Sequence, residues 1–364
     1  MRLYYLKFAK KRTLRKEITN VKIDGFRYLT TIPLALVSLV TAYAAPPIEI
    51  DITGADLAAG QFLQNPLFSS IKMGPLREGA SAAKAAAPTI PAVTFGYYPA
   101  DLQNPLHGPT LPTVTSHNIF INPVTISPGV LGQSATGPST VDADTFLGFL
   151  YGSDMIHILD QYTGPGTKTV GQSAFIPYGA TRTTLDDADI AVLVHAAART
   201  FGTGYSQIQH IFFSQGTDVC TSNGGNSEVC YSPDVPQTFV FCGFHGYLDF
   251  KDIGHVIFSV EPYENVSGCA NLTIVSLPGL NPNGVAVDSM ASVLSHETFE
   301  AFSDPDIDAW YNHFGAFGGN EIGDECAFVF SLPPVSLNGQ QYQIQSEYSN
   351  VFHACSWSTG APTP

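Results

Sequence analysis

A histidine and two glutamates fall within five positions in Ser295-His296-Glu297-Thr298-Phe299-Glu300. On a helix, a turn of 3.6 residues stacks His296 over Glu300 on one face and leaves Glu297 at its edge. Two ligands four apart on a rigid helix can share one cation. The adjacent carboxylate is then placed to take a proton from water that the cation polarises. Farther on, in Gly319-Asn320-Glu321-Ile322-Gly323-Asp324-Glu325-Cys326, Glu321 is the natural third ligand. His296, Glu300 and Glu321 are therefore the candidate metal set and Glu297 the candidate general base. One imidazole with two carboxylates is a net negative donor set, for which zinc is the first choice and manganese or iron remain open.

The second stretch resembles the Asn-Glu-x-x-x-Asp segment of the thermolysin-like gluzincins, one residue shorter, with Asn320-Glu321-Ile322-Gly323-Asp324 in its place. That resemblance implies that Asp324 accepts the far N–H of His296 and orients the ring. In proven H-E-x-x-H zinc peptidases the second helix ligand is a histidine, where this chain has Glu300. A polar pair four apart is also what a solvated helix face looks like. Against that reading, the same stretch carries Met290, Val293, Leu294, Phe299, Ala301 and Phe302, and Glu321 follows at the separation a metal site needs.

Other chemistries find less support. Asp304-Pro305-Asp306-Ile307-Asp308 begins like a calcium loop, but Ala309 stands where the loop needs glycine and Gly315 where it needs a bidentate glutamate. His157, His195, His210, His245 and His255 fall within expected helices or strands and read as ordinary core or surface histidines, as do His313 and His353. No G-x-S-x-G elbow, no phosphate-binding G-x-x-x-x-G-K-[ST] and no G-x-G-x-x-G after a strand is present.

Three helices would position these groups. Asp142 to Tyr162 has apolar residues at three- and four-residue spacing and stops at Gly164-Pro165. Thr184 can cap a helix from Leu185 to Phe201 that ends at Gly202. Asp288 can cap Ser289 to about Ser303, ahead of Asp304-Pro305. Between the last two lie strand-like runs at Gln207–Ser214, Gln237–Leu248 and His255–Glu261. The order predicts an α/β (α+β) layered domain with a mixed sheet, the metal-binding helix and an irregular cysteine-tied tail.

The 364 residues carry 16 Lys+Arg and 31 Asp+Glu, and nine of the basic residues precede Tyr28. The remainder is strongly acidic with scattered cations, so it offers no stripe to neutralise phosphates and nucleic acid is not an expected partner. The basic opening runs into a short apolar stretch that ends in Ala42-Tyr43-Ala44, the small-x-small form of a secretory cleavage site. Residues 1–44 therefore read as a signal peptide, 45–95 as an Ala/Pro-rich linker or pro-segment, and 96–364 as the domain. After cleavage no stable membrane insertion is expected. Six cysteines, none spaced C-x-x-C, suit three disulfides in an oxidising compartment, and proximity favours Cys220–Cys230, Cys242–Cys269 and Cys326–Cys355. Asn265-Val-Ser and Asn271-Leu-Thr are glycosylation sequons.

The run from Ser295 to Tyr311, followed by Asn320-Glu-Ile-Gly-Asp-Glu-Cys326, resembles the most distinctive stretch of the EXORDIUM or phosphate-induced-protein family. Phe241-Cys-Gly-Phe-His-Gly-Tyr247 is similar to that family's Cys-Gly-x-His-Gly segment, although the family's second cysteine before Gly-x-His-Gly is missing here, Gly243 following Cys242 directly. The resemblance implies an extracellular, cell-wall-associated protein with a zincin-like domain, whose helix carries His-Glu-x-x-Glu as this one does. Two functions are compatible with these residues. One is a secreted zincin-type hydrolase acting on peptide, and the other a non-catalytic extracellular module that signals or binds cell-wall polymer.

Overall fold

The computed structural model describes residues 45–62, 101–179, 183–222, 228–271, 278–313, 320–327 and 329–360. The expected signal peptide, and the expected linker beyond residue 62, lie outside them. The start of that linker does not behave as one. Ile48–Glu49 (β1) adds to a sheet, and Gly54–Phe62 (α1) packs on a later helix.

The central sheet is mixed, as the sequence predicts. Its strands are β1, β2 (Val114–Ile121), β3 (Lys168–Val170), β4 (Ala174–Ile176), β5 (Gln207–Phe213), β6 (Phe244–Phe250) and β7 (Gly254–Glu261). Their spatial order is β1-β4-β2-β5-β7-β6, with β3 beside the start of β2. All neighbours run parallel except β6 and β7, an antiparallel hairpin at one edge.

Helices cover both faces. Alternation along the strands sends Ile119, Ile211, Phe213, Phe258 and Val260 to the side of α1 and α3 (Asp187–Phe201). It sends Phe120, Phe212 and Ile257 to the other side, against α2 (Thr140–Tyr151) and α4 (Val285–Ser303). A sheet buried on both faces by crossover helices is what a mostly parallel arrangement requires.

The helix ends depart from the sequence reading in ways that the caps explain. α2 starts at a capping box in which Ser139 Oγ accepts from Asp142 N and the Asp142 carboxylate accepts from Ser139 N. It stops at Gly152, and only a 3-10 turn and a short helical turn carry the chain on to Gly164, where φ is 73°. α3 is capped by Asp186 and not Thr184, because Asp186 Oδ1 accepts from both Ala188 N and Asp189 N. Thr184–Leu185 pairs instead as a strand with Asp218 and Val219. α4 begins three residues before Asp288, whose carboxylate accepts from Asn283 N and Nδ2 and from Gln343 N.

From Asp288 to Ser303 every residue of α4 is buried. One side lies on the sheet and another against the cysteine-tied tail, where Gln345 N donates to Ser292 Oγ. All three disulfides join the cysteines that proximity favours. Of the two sequon asparagines, Asn265 is exposed, while Asn271 is buried with its amide donating to Gln343 O.

Beneath α4 the sheet carries a buried polar row. Asn118, His210, Ser259 and His245 are neighbours in register on β2, β5, β7 and β6, and each is fully buried. Asn118 Nδ2 donates to Asp144, His210 Nδ1 meets Ser259 Oγ at 2.7 Å, and Ser259 donates to Glu261. The row leads across the sheet to the polar side of α4.

The amino-terminal segment is tied down by charge. Asp56 on α1 is fully buried and binds His195 Nδ1 at 2.6 Å and Arg199 Nη2 at 3.1 Å. Burial alone would raise its carboxyl, but hydrogen bonds from Arg199, Thr53 and His195 outweigh that and hold it at about 2. Asp56→Ala should cost about 3 kcal/mol, the low end for breaking a buried pair, because Arg199 is 36% exposed and can rehydrate. Denaturant melts read this. A depressed folded-state pKa contributes stability that is complete above pH 4 or so and is lost as pH falls through about 2. The stability gap between the parent and Asp56→Asn should therefore shrink between pH 6 and pH 2. Replacing Cys326 and Cys355 together by alanine should cost about 2–5 kcal/mol and loosen the tail over α4, which a denaturant melt likewise measures.

Candidate metal centre

α4 carries His296, Glu297 and Glu300 inward, and all three are fully buried. The stacking expected of i and i+4 positions is realised, with His296 Nε2 3.0 Å from Glu300 Oε1. Asp324, on the short 3-10 turn Asp324–Cys326, brings Oδ1 to 3.8 Å from the same nitrogen. Its backbone N–H also donates to Glu300 Oε1. His296, Glu300 and Asp324 thus offer three donor atoms within 4.8 Å of one another.

The two acids of the second stretch take different places from those the sequence suggests. Asp324 faces Nε2, the nitrogen that Glu300 uses, and not the far one. The far nitrogen, Nδ1, lies 2.7 Å from the side-chain amide of Gln345. Glu321 is brought to His245, with Oε1 3.5 Å from its Nε2. The cause is local. Glu321 and Asp324 sit at opposite ends of a tight turn in which Glu321 N approaches the Asp324 carboxylate, so their side chains diverge. Gly323 between them presses on the ring, and a Cβ there would stand 2.5 Å from His296 Nδ1.

His245 is the residue that sequence reasoning passed over. It stands on β6 with Nδ1 3.6 Å from Glu297 Oε2 and 3.5 Å from Glu300 Oε2. His245, Glu297 and Glu300 form a second group of three converging donors that shares Glu300 with the first. The only signal for it was the Phe-His-Gly run inside a strand-like segment. Knowing that this histidine faces α4 requires the strand register.

The electrostatics follow from packing acids in a dry space. Burial opposes charge on His296 and His245, but carboxylates around each outweigh it and lift both imidazoles well above the ordinary range: Glu300, Glu297 and Asp324 for His296, Glu321, Glu297 and Glu300 for His245. Glu300, squeezed between the two rings, goes the other way and is held at about 2 despite its burial. Burial, then the neighbouring Glu300, pushes Asp324 up to about 8. Burial also raises Glu297, and it raises Glu261, Glu264 and Glu347 well above the usual carboxylate range. Among the described residues, the ion pairs of Lys168 and Arg199 go to Asp160 and Asp56, away from this cluster. Positive charge here comes from imidazolium or from a cation.

The donor chemistry fits a cation. Neither oxygen of Glu297 has a hydrogen-bond partner among the described residues, and neither has Glu300 Oε2 or His245 Nδ1. A buried carboxylate oxygen without a hydrogen bond is costly unless something neutralises or coordinates it. The third candidate trio, Cys242, Glu264 and Cys269, is different, because its two sulfurs are already joined in a disulfide. Asp324, with its side chain 17% exposed, is the one member of the first trio that solvent reaches.

The disulfides agree with an extracellular setting, and no helix among the described residues is long and apolar enough to cross a membrane. The chain matches no protein-family model, no curated protein and no solved structure, so the geometry of this centre is what any functional reading has to stand on.

Proposed function

We propose that the protein is a secreted metal-dependent hydrolase of zincin type acting on peptide bonds, with zinc as the first candidate and manganese or iron as the others. The observation that carries this reading is Glu297: a fully buried carboxylate with no hydrogen bond on either oxygen among the described residues, next in sequence to His296 of the His296–Glu300–Asp324 trio. His296, Glu300 and Asp324 would hold the ion. Bound there, a divalent cation supplies Lewis acidity toward a carbonyl and makes water more acidic.

The chain's own residues then have defined tasks. Glu297, with its carboxyl raised by burial, takes the proton of the attacking water and returns it to the leaving amine. Gln345 Nε2, 2.7 Å from His296 Nδ1 and 3.2 Å from the carbonyl oxygen of Gly323, fixes the orientation of the ring that would carry the ion. Glu300 is kept ionised by the two imidazoles. The exposed edge at Asp324 is where substrate would enter.

A second reading, a non-catalytic extracellular module with a structural ion, is favoured by the full burial of His245, His296, Glu297 and Glu300. The two part company experimentally. Under the hydrolase reading, the metal-loaded protein cleaves a mixed peptide substrate, chelation abolishes cleavage, and Glu297→Gln lowers kcat/KM by about 100-fold or more with an unchanged circular dichroism spectrum. His296→Ala should lose both metal and cleavage. Equal cleavage by the parent and Glu297→Gln defeats the hydrolase reading. Metal binding that raises the melting temperature with no cleavage by either protein supports the structural one.

A further inference from the structure

We propose that the centre holds two cations bridged by Glu300, the second one bound by His245 Nδ1, Glu297 and Glu300 Oε2. This goes beyond the single ion of the proposed hydrolase and does not depend on its being an enzyme.

The distances carry the argument. Ligand atoms at about 2.0–2.2 Å from a tetrahedral ion stand roughly 3.3–3.6 Å from one another. His245 Nδ1 is 3.6 Å from Glu297 Oε2 and 3.5 Å from Glu300 Oε2. These separations are too long for hydrogen bonds, yet they are the spacing of donors around one ion. The atoms are fully buried, and none of them has a hydrogen-bond partner among the described residues.

His245 Nε2 lies 3.2 Å from the carbonyl oxygen of Asp304, which can only accept, so the ring in the neutral form that a ligand needs keeps its proton on Nε2 and turns the Nδ1 lone pair toward Glu297 and Glu300. Glu300 divides its oxygens between the two trios, Oε1 toward His296 and Oε2 toward His245. That is the disposition of a bridging carboxylate. Gly243 keeps the place open, since a Cβ there would come within 2.9 Å of Glu297 Oε1. With Glu297 on the second ion through one oxygen, its other oxygen remains to take a proton, so the base assigned above keeps its role.

The test is stoichiometry. Full-length mature protein is stripped with chelator and titrated with Co2+ alone, followed by calorimetry and visible absorption, and separately loaded with Mn2+ for electron paramagnetic resonance. The expected result is two equivalents per chain and a spin-coupled Mn2+ pair. His245→Asn and Asp324→Asn should each bind one equivalent and lose the coupling, while Glu300→Gln should weaken both sites. Circular dichroism and melting of each variant identify any that fails to fold, and partly exposed Asp324 supplies the test if buried His245 proves intolerant. One equivalent in the parent, or two in a folded His245→Asn, overturns the second site. Hydrolysis with one equivalent would leave the proposed function standing without it, and two equivalents without hydrolysis would do the reverse. No binding of either ion overturns both.

Discussion

Burying carboxylates is expensive, and this fold does it repeatedly in one place. Glu261, Glu297, Glu300, Glu321, Asp324 and Glu347 are all within electrostatic reach of His245 or His296, between α4, the sheet and the tail. Taking each charge out of water costs several kcal/mol unless it is neutralised or coordinated. The two imidazoles can balance two of the six. The rest must be protonated or share a cation, and the pattern of raised carboxyls and raised imidazoles is the signature of a site short of positive charge. The helix, the β6–β7 hairpin and the disulfide-tied tail are each needed to close this space.

That requirement accounts for features with little to do with ordinary packing. α4 is buried on every side, yet carries Ser292, Ser295, His296, Glu297, Thr298, Glu300 and Ser303. A helix in such a position is normally apolar all round. Here the apolar positions Met290, Leu294, Phe299 and Phe302 join the core with α2, while Ser292 and His296 meet the tail and Glu297 and Glu300 meet His245 on β6. The row Asn118–His210–Ser259–His245 extends the same polarity across the sheet. Within it His210 and Ser259 hydrogen-bond across adjacent strands, so at that point the sheet register is held by side chains as well as by the backbone.

How much of this was legible in the sequence depends on range. The His296–Glu300 pair needed only helical periodicity, and the three disulfides needed only nearness along the chain. The helix starts were misplaced by a few residues because Ser, Thr and Asp recur there. Choosing Ser139 over Asp142, or Asp186 over Thr184, requires seeing which carboxylate reaches back to the cap. β2, at the middle of the sheet, gave no strand-like run, since Thr115, Ser116, His117 and Asn118 open it. The exchange of places between Glu321 and Asp324 is set by one tight turn, and His245 by strand register. Neither leaves a mark in residue spacing.

The pairing of β1 with β4 also protects an edge of the sheet. Ile48 and Glu49 cover the outer edge of Ala174 and Phe175, and α1 shields the apolar side of α3 through the Asp56 staple. A chain lacking residues 45–62 would therefore present an unpaired parallel edge together with an oily helix surface, and such molecules would tend to stick to one another through that edge.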